Sequence, residues 1–208
     1  MRYNKNIKAD FVEVMRSVSK VVDTSKIRQK YLDWNWLFER FYPIICKLKK
    51  HECKTCIDFG CGTGGLVVLA NLMGIETVGI DIPIHSNGAN QYCNFTSELT
   101  RIGFTVKVFD TSKYPWDLKN DSIDSVTAFQ SLREDYTDNT QPAHLSWNHD
   151  VIVKRVKEIS RIIRQKGFWY VGSVLNYKGL KKSQVWGSLS AKKYKLKLWG
   201  GSGVKGRQ

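Results

Sequence analysis

The stretch from Thr55 to Gly65, Thr-Cys-Ile-Asp-Phe-Gly-Cys-Gly-Thr-Gly-Gly, constrains this chain more than any other. A short apolar run ends at Phe59, glycines follow at positions 60, 62, 64 and 65, and Leu66, Val67, Leu69, Ala70 and Met73 then recur at helical spacing. That order reads as strand, turn and helix. Glycine is needed where the backbone turns with φ > 0 and where no side chain can stand between it and a ligand. Amides that open a helix present partial positive charge to that ligand. The stretch is therefore expected to seat a nucleotide or nucleoside at the edge of a parallel sheet.

Strands and helices alternate on either side of it. Upstream, Ile7, Phe11, Val14, Val18, Val21 and Val22 recur at helical spacing over residues 5–22. Asp23-Thr24-Ser25 reads as a cap, and a second helix carries Ile27, Tyr31, Trp34, Leu37, Phe38 and Phe41 on one side. Pro43 is expected to break that helix and restart it as a short third one. The aromatic stripe reads most simply as core. Downstream, strands are expected at Glu76 to Asp81, Thr105 to Asp110, Ile123 to Phe129 and Phe168 to Leu175, with helices over 88–102 and 150–165, the latter closed by Gly167. Lys193 to Trp199 alternates charged and apolar residues and suits a late edge strand. The expected fold is α/β: a Rossmann-like, doubly wound, mostly parallel sheet with helices on both faces and an N-terminal helical cap. The cap takes residues 1–50, the sheet domain 51–200 and a loose tail 201–208.

The glycines alone leave the ligand open. Gly60-x-Gly62-x-x-Gly65 satisfies the dinucleotide pattern, and Gly60-x-Gly62-x-Gly64 a tighter one. Asp58 stands two positions before the first glycine. Asp81 ends the second strand, where a carboxylate can accept both ribose hydroxyls, and Asp110 ends the third, where an acid can face an adenine amino group. With these residues in place the chain resembles the class I S-adenosylmethionine-dependent methyltransferases. The resemblance runs over about residues 50–175, through Asp58 to Gly64, Gly79-Ile80-Asp81, Phe109-Asp110-Thr111, Asp124 to Leu132 and Ile159 to Gly167. It extends to a subgroup in which a segment like Tyr114-Pro115-Trp116 precedes the fourth strand and a helix ending like Arg161 to Gly167 precedes the fifth. It implies S-adenosyl-L-methionine as cofactor. Gly60, Gly62 and Gly64 would admit its methionyl part, Asp81 with Ile82 would meet the ribose, Asp110 and Thr111 would flank adenine, and Phe129 and Gln130 would line the methyl donor. An NAD enzyme is the alternative on the glycines, but little chain is left for its substrate domain.

Methyl transfer from a sulfonium needs an aligned acceptor and, for a hydroxyl, a base. The fourth strand is followed by Phe129-Gln130-Ser131-Leu132 and not by the Asn/Asp-Pro-Pro-aromatic motif of base-amine methylation. A polar loop follows, with Glu134, Asp135, Asp138, His144, His149 and Asp150. It offers a general base, His149 or His144 first and Asp135 or Glu134 second. It also offers oxygen ligands for a divalent cation, magnesium or manganese, that would lower a hydroxyl's pKa. An acidic mouth disfavours a polyanion, whereas Trp147 and Tyr136 could stack on a sugar. The expected reaction is O-methylation of a sugar, glycan or other small hydroxylated acceptor.

The charge of +14 points to a second partner class. Residues 1–150 hold 18 Lys+Arg against 18 Asp+Glu, while residues 151–208 hold 15 against Glu158 alone. Lysines over 178–207, interleaved with Tyr177, Trp186, Tyr194 and Trp199, could track a phosphate backbone, so RNA or DNA methylation is the runner-up. A cofactor-binding subunit that activates a partner without catalysing is the third reading. The five cysteines, with no apolar leader in view, read as reduced thiols, and the Cys53-x-x-Cys56 pair, lacking a second pair, reads as buried thiols and not a metal knuckle. No metal-ligand set is assigned. The longest apolar run, near Leu66 to Ile75, is too short to span a bilayer. A cytoplasmic enzyme away from the membrane is the expectation.

Overall fold

A computed structural model of the chain describes residues 5–25, 27, 29–81, 84–85, 88–89, 92–108, 114–128, 149–171 and 197–198. The helices are α1 (Lys5–Val21), α2 (Trp34–Lys50), α3 (Gly65–Leu72), α4 (Cys93–Arg101) and α5 (His149–Ile162), with a 3-10 turn at Gln29–Tyr31 before α2. The strands are β1 (Thr55–Phe59), β2 (Glu76–Asp81), β3 (Ile84–His85), β4 (Gly88–Ala89), β5 (Val106–Val108), β6 (Ile123–Ala128), β7 (Ile163–Val171) and β8 (Lys197–Leu198). Six strands form one open sheet in the order β5-β2-β1-β6-β7-β8, and every described pairing in it is parallel. This is the Rossmann-like arrangement expected from the alternation of elements. Chain order reverses direction between β1 and β6, which puts the glycine turn at the switch point.

Side chains alternate across the sheet. Along β1, Ile57 and Phe59 enter one apolar cluster and Cys56 the other. The larger cluster joins α1, α2, α3 and α4 through Phe11, Met15, Phe38, Ile45, Leu69 and Phe95, all fully buried. The N-terminal helices therefore pack onto the sheet's α3 face. The smaller cluster lies on the opposite face, where Trp116 and Ile159, Ile162 and Ile163 cover Phe59, Ile80 and Val126. No described helix is long and apolar enough to cross a membrane.

Four expected boundaries are corrected. Pro43 does not restart a helix; α2 runs unbroken through it. The proline costs one backbone bond, but Phe41, Tyr42, Ile44 and Ile45 around it are all buried, and that packing holds the helix together. Its start is later than expected, at Trp34, because the Asp33 carboxylate accepts from the Trp36 amide at 3.0 Å and caps it there. Residues 88–89 are not helical. They pair antiparallel with Ile84–His85, and α4 begins only at Cys93. Finally, β7 begins at Ile163, inside the expected helix, because Ile163 pairs with Ile123 before an irregularity; regular register resumes at Ser125 opposite Phe168, just past Gly167. Lys197–Leu198 lies within the late strand anticipated at Lys193 to Trp199 and pairs with β7.

Candidate active site at the glycine turn

β1 delivers Asp58 and Phe59 to the carboxyl edge of the sheet. The chain then folds over the end of β2, where the Gly60 and Cys61 amides donate to the Ile80 carbonyl at 2.7 and 3.2 Å. The Gly62 amide donates to Asp81 Oδ2 at 2.8 Å, and the Cys61 thiol lies 4.0 Å from that same oxygen. The Gly64 amide closes the turn on the Cys61 carbonyl at 2.9 Å. Glycine turn and strand-end acid are thus one bonded unit.

Gly62 and Gly64 need glycine for different reasons. Both have positive φ, 55° and 74°. A Cβ at Gly64 would lie 2.2 Å from Leu99 Cδ1, so that glycine admits α4. A Cβ at Gly62 would meet nothing within 4 Å among the described residues. The described residues there leave room for a ligand to approach the backbone. Gly79 is a third requirement, and sequence reasoning gave it no role: a Cβ there would sit 2.9 Å from Cys61 Sγ, so the turn can lie down on β2 only over a glycine. A glycine inside a strand pattern is the signal for such an approach.

Asp58 is buried opposite Gly79 on one side and Thr127 on the other. Burial pushes its carboxyl up, the Thr127 hydroxyl donating to Oδ1 at 2.8 Å pulls it down, and the Asp81 charge adds to the rise, leaving the pKa at about 7. A carboxyl poised there at a sheet edge marks a functional candidate. Thr127 is thereby a site residue that sequence reasoning did not single out. Burial drives the Cys61 thiol well above its usual range, and the charges of Asp81 and Asp58 drive it further. Burial likewise pushes Cys53 up to about 11 and Cys56 up to about 12. All three are protonated and inert at neutral pH, as the reading of buried thiols anticipates.

The structure thus brings together Asp58, Gly60, Gly62, Gly64 and Asp81. Ile82, Asp110, Thr111, Phe129 and Gln130 lie outside the described residues, as do Glu134, Asp135 and His144. The lysine-rich residues over 178–207 lie outside them too, apart from the β8 backbone. His149 opens α5, which is described there by its backbone alone. Among the described residues no group of three or more His, Cys, Asp or Glu could hold a metal ion.

The residues present fit the cofactor expected from the sequence. Asp81 is oriented by a backbone amide at a strand end, and no described residue fills the space beside Gly62. No protein-family model matches the chain, and no curated protein matches it significantly. Solved structures do. The PH0226 protein from Pyrococcus horikoshii OT3 is similar at 19% identity and TM-score 0.49, over 73% of this chain and 62% of that one. CalS10, an amino pentose methyltransferase from Micromonospora echinaspora solved with S-adenosylmethionine bound, is similar at 13% identity and TM-score 0.45, over 63% and 48%. An S-adenosylmethionine-dependent methyltransferase from Clostridium acetobutylicum is similar at 16% identity and TM-score 0.42, over 76% and 54%. The chain thus spans about half to three-fifths of the length of these structures.

Proposed function

We propose that the chain is an S-adenosylmethionine-dependent methyltransferase acting on a sugar or another small hydroxylated acceptor. The observation that carries the cofactor half is the buried Asp81 carboxylate, fixed at the end of β2 by the Gly62 amide. It is supported by the order of motifs from Asp58 to Gly167 in the sequence. Asp81 would accept from the ribose hydroxyls, and the glycine turn would let the methionyl part approach the backbone. The bound cofactor supplies a methyl on a positively charged sulfur, ready for in-line displacement. This chain's remaining task is at the acceptor. His149 or His144 first, and Asp135 or Glu134 as the second choice, would take the hydroxyl proton as the new C–O bond forms and the S–C bond breaks.

The acidic residues between β6 and α5 support the neutral acceptor; the basic residues after 150 support RNA or DNA as the second reading. Titration calorimetry with S-adenosylmethionine tests the cofactor. Measurable binding to the native chain and its loss in Asp81→Ala is expected, and no binding to either would sink the reading. Transfer from a labelled donor into fractionated extract tests the acceptor. Label in glycans or small molecules is expected; label in RNA, with affinity falling steeply in salt, would reverse the order.

A further inference from the structure

On the face of the sheet away from the N-terminal helices, a partly buried ion pair grips the backbone of Trp116. Glu158 and Arg161 stand one turn apart near the end of α5, and Glu158 is buried. Glu158 Oε1 accepts the Trp116 amide at 2.7 Å, while Arg161 Nη2 donates to the Trp116 carbonyl at 3.0 Å. The pair holds both backbone polar groups of Trp116. Arg161 Nη1 also donates to the Leu118 carbonyl at 2.8 Å and to Asn120 Oδ1, and the guanidinium is paired with both oxygens of Glu158. With its backbone so fixed, the Trp116 indole stacks on Phe59, centroids 5.4 Å apart and planes 17° apart. Phe59 is the last residue of β1, and Gly60 comes next.

We propose that Glu158 and Arg161 are positioning residues for the glycine turn, acting through Trp116 and Phe59. Apolar packing alone could cover this face. The pair does something packing does not, because it fixes the height and tilt of one ring over the residue from which the turn departs. A guanidinium reaches several carbonyls in a fixed fork that an ammonium cannot reproduce. Phe59 is pinned on its other sides by its pairing with Ile80 and Ala128. Displacing the indole therefore loosens the root of the turn, while the bonds of the turn to Ile80 and Asp81 remain.

Hydrogen exchange of the 57–64 segment and donor affinity test this together, in full-length chains below their melting temperatures. In Arg161→Lys and Trp116→Leu, exchange at Gly60 to Gly64 is expected to rise about tenfold, and the Kd for S-adenosylmethionine to rise about tenfold with it. Trp116→Phe keeps a ring over Phe59 and should stay near the native values. Phe38→Leu, in the opposite cluster, serves as a control for lost stability and should leave both readouts within about twofold. Unchanged exchange in Arg161→Lys and Trp116→Leu, or an equal rise in Phe38→Leu, overturns the proposal. The donor arm rests on the methyltransferase reading, and the exchange arm does not. Failure of the native chain to bind the donor would count against that reading alone, and exchange would still decide the positioning role.

Discussion

The two ends of this sheet treat a strand carboxylate in opposite ways. At the amino end, Asp124, the second residue of β6 and only half-buried, has each oxygen engaged. Oδ2 accepts the Lys54 and Thr55 amides at 2.8 and 2.9 Å and the Thr55 hydroxyl at 3.1 Å, and Oδ1 accepts Arg164 Nη1 at 2.7 Å. Burial pushes Asp124 up, but these donors outweigh it and hold the group below its usual range. At the carboxyl end, Asp58 has one hydroxyl donor and a neighbouring acid, and its pKa is driven to about 7. The difference separates scaffold from site. A carboxylate with its lone pairs filled ties strands together, while one left short of donors is available to a ligand.

Substitution should separate the ends most sharply. Asp124→Ala frees two amides and a hydroxyl, so urea unfolding should show a loss of about 2 kcal/mol, the exposed Arg164 adding little, with donor affinity unchanged. Asp81→Ala should do the reverse: about 1 kcal/mol of stability lost and a Kd for S-adenosylmethionine weakened about 100-fold, for two charge-assisted hydrogen bonds. If both variants lose stability alike and bind alike, the distinction fails.

The glycines sharpen the contrast within the carboxyl end. Gly64→Ala should lower stability by about 2 kcal/mol, from left-handed strain plus the contact with Leu99. Gly62→Ala meets open space, and strain alone, about 1 kcal/mol, should appear in its melting curve. Its larger effect should be on calorimetric binding, where the new methyl occupies the ligand's path.

The smallest expected effect is in pH dependence. The folded-state pKa of Asp58, about 7, lies above its unfolded value of about 4. Between those values the folded chain holds the extra proton. The stability this contributes is full below about pH 4 and is lost as pH rises through about 7. Asn cannot ionise, so the stability of Asp58→Asn relative to native should climb steadily from pH 5 to pH 8 in paired melts. Asp124 runs oppositely: its contribution is present above the unfolded value and fades as pH falls through the lowered folded one.

What could be read in advance was local or periodic. The glycine turn, the acid at the end of β2, the parallel order and the aromatic stripe of α2 all announce themselves in short windows, and the structure places them as expected. What could not be read spans long separations. Asp124 finds Thr55 across 69 residues and Glu158 finds Trp116 across 42, and no pattern in either window signals the other. Pro43 was misleading because local propensity disfavours what the core around it stabilises. The hairpin at Ile84 to Ala89 escaped for the opposite reason: its strands are too short to show alternation. The catalytic expectations at Glu134, Asp135, His144 and His149 rest on sequence alone.

The placement of α1 and α2 has a consequence for synthesis. Phe11, Met15, Phe38 and Ile45 are covered by residues of α3 and α4 that the ribosome adds later, as far as Leu99. At about 5–20 residues per second, the interval from Lys50 to Leu99 lasts roughly 3–10 seconds. During it α1 and α2 can pack on each other, as Phe11 does on Phe38, but the part of their face that α3 and α4 cover in the finished fold is still without its cover.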